Sequence, residues 1–123
     1  MNKKYTRLKN TVLGRSYDLS LVFIDKTKSR KLNQIYRKKN KPTNVLSFPI
    51  SEEMGEIFID RETSRRETGK FGMTFEEFID FLFIHGLLHL KGMQHSDKME
   101  KAEKKLLYGT TNSSRHRHRN LRS

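Results

Sequence analysis

Apolar and polar positions along this chain change period several times, and each change marks an element. Leu8, Val12 and Leu13 fall at helical spacing and stop at Gly14, which predicts a short helix over Lys4–Leu13. Leu19–Asp25, LSLVFID, is rich in β-branched and aromatic residues and predicts a strand. Helical spacing returns with Leu32, Ile35 and Tyr36, with Ser29 as the expected cap and Pro42 as the barrier beyond. Thr43–Ile50 and Met54–Asp60 read as two antiparallel strands separated by a few residues, without the signature of a tight turn. Glu62–Gly72 is polar and fits either helix or loop.

The longest apolar pattern, TFEEFIDFLFIHGLLHLK, starts at Thr74 with Glu77 three residues on, a capping box. Gly92 stands where this helix would leave through a left-handed residue. Ser96 caps a last helix with Met99, Ala102 and Leu106 on one face, ended by Gly109. Helices and strands intermix, so the fold class expected is α+β. The architecture expected is a single small domain over residues 1–108, with a short mixed sheet of three or four strands packed against helices. Residues 109–123 are too polar to bury anything and are expected to form a disordered basic tail.

Composition changes this picture in two ways. The chain has no cysteine, which removes disulfides and thiolate ligands and fits a reducing cytoplasm. No signal-like start and no run of membrane-spanning length is present, so a soluble cytoplasmic protein with no membrane partner is expected. The net charge of +12 points toward polyanionic partners. Lys26–Lys41 holds eight Lys or Arg and no acid, and supplies candidate contacts to an anionic polymer in Arg30, Lys31, Lys38, Lys39 and Lys41.

Candidate chemistry sits in FIHGLLHLKGMQH, Phe83–His95, which holds three of the five histidines. His85 and His89 are four apart, about 40° of rotation and about 6 Å of rise on a helix, so both rings leave one face. A reversal at Gly92 would return His95 to the same ion. Three imidazoles leave a fourth position for water, the arrangement of a catalytic zinc, and one Zn²⁺ per chain is the expected cofactor. The spacing also matches the long zinc-protease pattern, but Gly86 occupies the place of its general-base glutamate. The missing carboxylate and the positive charge together favour nucleic acid over peptide.

HGLLHLKGMQH resembles the signature of the YbeY-type endoribonucleases, zinc-dependent bacterial enzymes of ribosomal RNA maturation. LNQIYRKKNKPTNVLSFP, Leu32–Pro49, and GEIFI, Gly55–Ile59, are similar to two further blocks of that family in the same order. The resemblance implies zinc on His85, His89 and His95, and a phosphate-holding role for Arg37. It makes Glu56 a candidate for proton handling or support of the site. It further implies a single-stranded RNA or ribosomal RNA precursor as substrate, and the ribosome or its small-subunit proteins as partners. Three departures stand out: Gln94 and Asn44 replace aspartates frequent in the family, and the sequence opens at or near the first helix where family members commonly carry a strand before it. Either the sheet is one strand short or the chain starts earlier. Two other readings stay open, a zinc peptidase-like hydrolase and a non-catalytic ribosome-associated RNA-binding protein with structural zinc.

Overall fold

A computed structural model describes residues 1–111 of the 123, so most of the expected basic tail lies outside the described residues. The elements run α1 (Lys3–Leu13), β1 (Asp18–Ile24), α2 (Lys26–Arg37), β2 (Val45–Ser51), β3 (Met54–Asp60), α3 (Arg61–Glu67), a 3₁₀ turn (Thr68–Phe71), α4 (Phe75–Leu90) and α5 (Asp97–Thr111). The three strands form one mixed sheet in the order β1-β3-β2, with β1 parallel and β2 antiparallel to β3. The fold is α+β, as the pattern of periods implies.

One face of the sheet builds the core. Leu19 on β1 and Ile57 and Ile59 on β3 turn toward α4, whose Phe78, Leu82, Phe83, Ile84 and Leu87 are almost fully buried. α1 closes the layer with Tyr5, Leu8 and Val12, and the Tyr5 ring stacks on Phe83 at 4.4 Å between centroids. The Tyr5 hydroxyl donates to Asp80 at 2.9 Å and Lys4 reaches the other carboxylate oxygen at 2.7 Å, which satisfies a buried acid on the central helix. Burial first and Asp80 second push the Tyr5 hydroxyl pKa far up, so it remains a donor.

α4 begins as its sequence dictates. The Thr74 hydroxyl accepts from the Glu77 amide at 3.1 Å and the Glu77 carboxylate accepts from the Thr74 amide at 3.0 Å. It ends with the Gly92 amide donating to His89 O and the Met93 amide to Leu88 O, both at 2.9 Å, with Gly92 at φ 104°. That is a Schellman turn, and a residue with a Cβ is strained there. Ser96 then accepts from the Met99 amide at 3.2 Å and starts α5.

Several boundaries differ from expectation. Asp25, not Ser29, caps α2 by accepting from the Lys28 amide; Ser29 lies inside the helix, buried, bonding both the amide and the carbonyl of Thr43. The buried positions of α2 are the polar Ser29 and Asn33, whose amide donates to Lys41 O, while Ile35 and Tyr36 are exposed. The helix thus spends its inner face holding its own exit loop. The β2–β3 connection is tight after all: Ser51 pairs with Met54 across Glu52 and Glu53, with a register shift between Pro49 and Ser51. The ambiguous Glu62–Gly72 region is α3 and the 3₁₀ turn, set by Asp60, which is fully buried and accepts from the Thr63 amide and hydroxyl. Gly109 does not stop α5, which continues to Thr111.

Candidate metal centre

His85 and His89 leave the same face of α4 one turn apart, and the turn at Gly92 brings His95 back to them. The three ring centroids are 4.4, 5.1 and 5.0 Å apart, and the three available ligand atoms lie within 4.8 Å of one another. The two inner rings are half-buried and His95 is exposed, so the cluster opens to solvent on the His95 side.

The donor set fits a cation. His85 Nδ1 lies 2.5 Å from Glu103 Oε2 and His89 Nδ1 lies 3.1 Å from Met93 O. A carbonyl and a carboxylate can only accept here, so each Nδ1 carries the proton and each Nε2 turns a lone pair inward. With both rings neutral, those two Nε2 atoms, 3.0 Å apart, face each other lone pair to lone pair, a pairing that a cation between them would relieve. Four-coordinate zinc with bonds of about 2.0–2.1 Å places neighbouring ligand atoms about 3.3 Å apart, close to this separation. Burial, followed by the neighbouring His85 and His95, lowers the His89 pKa and so favours the neutral ring, the form a metal requires.

Glu103 is absent from the expected site and is its chief addition. It is a nearly buried acid on α5, against which α4 packs. A signal was present: Glu103 lies four residues after Met99 and three before Leu106, a carboxylate in the middle of an apolar face. Glu56, expected as the supporting acid, sits on β3 between Gly55 and Ile57, the residues that meet Leu90 and Gly86 of α4. Strand alternation therefore turns Glu56 to the opposite face of the sheet, away from the histidines. Gly86 is where the helix touches the sheet: a Cβ there would lie 2.9 Å from Ile57 Cδ1 and 3.0 Å from Ser47 Oγ.

Arg37 is the last residue of α2, exposed, with Nη1 3.4 Å from Asn33 Oδ1. Arg30 and Lys31 lie exposed on α2, and Lys38, Lys39 and Lys41 on the loop that follows; Arg30 Nε donates to Asn40 at 3.0 Å. A cavity of about 710 Å³ between α1, the β1 inner face and the start of α4 shares no residue with the histidine cluster.

Comparison with known proteins settles the lineage. The family model described as Endoribonuclease YbeY matches residues 2–111. The chain belongs to the YbeY endoribonuclease family. Relatives named Endoribonuclease YbeY include those of Aquifex aeolicus, 38% identical over 83% of this chain and 73% of that protein, and of Chelativorans sp., 39% identical over 72% and 63%. The Agrobacterium fabrum relative is 41% identical over 70% of this chain and 56% of its own length. The chain thus spans between about half and three quarters of these YbeY relatives. The solution structure of TM1509 from Thermotoga maritima is similar in fold, with a TM-score of 0.65 and 25% identity, covering 98% of this chain and 87% of that one. No helix among the described residues is long and apolar enough to cross a membrane.

Proposed function

We propose that this chain is a zinc-dependent endoribonuclease that cuts single-stranded RNA in ribosomal RNA maturation and ribosome quality control. The observation that carries this reading is the convergence of His85, His89 and His95 in a strongly basic chain of an endoribonuclease family. One zinc per chain, when bound, supplies Lewis acidity and a water acidified toward neutral pH.

The protein's own residues do the rest. Glu103 and the Met93 carbonyl fix the tautomers of His85 and His89 and so aim both lone pairs inward. Arg37 offers a planar fork to a phosphate oxygen, and Arg30, Lys31, Lys38, Lys39 and Lys41 offset backbone charge. Glu56 is left out of this assignment because it faces the other side of the sheet. The setting is the cytoplasm, with ribosomal RNA precursors and the ribosome or its small-subunit proteins as partners.

A peptidase reading is disfavoured by Gly86. Side-chain space at that position points into Ile57 and Ser47, so no general-base carboxylate stands there. The deciding experiment compares wild type with His89→Ala on single-stranded ribosomal RNA fragments. Retained RNA binding with cleavage abolished supports the enzyme; equal cleavage by both proteins overturns it. Peptide cleavage without RNA cleavage would favour the peptidase instead.

A further inference from the structure

A small aromatic pocket of about 180 Å³ opens beside the histidines. Its walls include Phe71, Phe78, Phe81 and Asn44, and it shares His85 with the metal centre. The three phenyl rings run nearly parallel: Phe71 stacks on Phe78 at 4.9 Å and 22°, and Phe78 on Phe81 at 6.2 Å and 14°. Phe81 in turn lies 6.1 Å from the His85 ring. Phe78 is fully buried, yet Phe71 at the end of the row is 52% exposed. Asn44 Nδ2 donates to Glu67 Oε1 at 2.7 Å, which fixes the amide and leaves its side-chain carbonyl able to accept.

Resting on the endoribonuclease reading, we infer that this pocket takes one unstacked nucleobase of the RNA strand, adjacent to the phosphate presented to the histidines. Volume limits the occupant to a flat ring system, since pockets for drug-sized ligands run to roughly 300–1,000 Å³. The apolar rings suit the faces of a base, and the Asn44 carbonyl suits a donor on its edge. Exposed Lys70, next to Phe71, suits the phosphate that follows. Aromatic platforms inside basic surfaces are how proteins hold single strands. A duplex keeps its bases stacked and cannot enter such a pocket, so the pocket makes the site selective for unpaired RNA.

The test is binding of short single-stranded RNA oligonucleotides by zinc-loaded protein, with an abasic site scanned along the strand and 2-aminopurine reporting stacking. Phe71→Ala should weaken binding of intact RNA about tenfold, the size of one lost stack. It should leave binding unchanged for the oligonucleotide abasic at the pocket position, and Phe71→Trp should restore wild-type affinity. A Phe71→Ala protein that binds intact RNA like wild type, or loses affinity equally for intact and abasic RNA, overturns the pocket. Because the readout is binding, the two readings part. Wild type that stacks the base without cutting RNA overturns the nuclease but supports the pocket, and cutting indifferent to Phe71 does the reverse.

Discussion

Glu103 on α5 reaches back eighteen positions in sequence to place Oε2 2.5 Å from Nδ1 of His85 on α4. The two helices meet at this contact, so the histidine cluster and the last helix are built as one unit. Removing the carboxylate by Glu103→Ala should weaken zinc affinity about 10–100-fold. Glu103→Gln, which keeps a hydrogen-bond acceptor without the charge, should lose less. A competition titration with a zinc chelator measures both.

Gly92 directs His95. At φ 104° the position disfavours any side chain, and left-handed backbone costs roughly 1–2 kcal/mol for a residue with a Cβ. Gly92→Ala should lower stability to chemical denaturation by about that amount. It should also lower zinc affinity, because His95 is carried by the same turn.

Gly86→Glu restores the zinc-protease pattern on paper. The added side chain has to displace Ile57 and Ser47, and overpacking of this kind costs about 1–3 kcal/mol. Thermal unfolding should show the loss, and a peptidase assay should stay blank.

His89 sets a pH dependence in the metal-free protein. Its pKa is lowered in the folded state, chiefly by burial, from an ordinary value of 6.5. The unfolded chain therefore takes up the proton first, and stability should fall as pH drops through the ordinary histidine range toward the folded pKa. Denaturation midpoints of His89→Gln should follow pH less steeply than those of wild type.

Charge on the α2 exit loop should appear in the salt dependence of RNA binding. If Lys38, Lys39 and Lys41 each neutralise a phosphate, replacing all three by Gln lowers the slope of log affinity against log salt by about 2.

The histidine cluster is legible in the sequence because local rules suffice for it. Helical spacing aligns His85 with His89, and a glycine after the helix returns His95. The capping box at Thr74 and the parting of α4 from α5 follow from equally short patterns. α2 is less legible: Leu32, Ile35 and Tyr36 suggest its inner face, whereas Ser29 and Asn33 are buried by bonds to Thr43 and Lys41, partners fourteen and eight residues away that periodicity does not see. Glu103 and the placement of Glu56 fail to show for a similar reason. One depends on how α5 docks on α4, the other on which face of β3 meets that helix. The tight turn after Ser51 was hidden by the register shift that follows Pro49.

The most direct test of three imidazoles serving one reactive ion is zinc content measured beside cleavage of single-stranded RNA, before and after chelation. The account predicts about one zinc per chain, cutting that stops on chelation, and recovery when zinc returns. Cutting that survives complete removal of metal would contradict it.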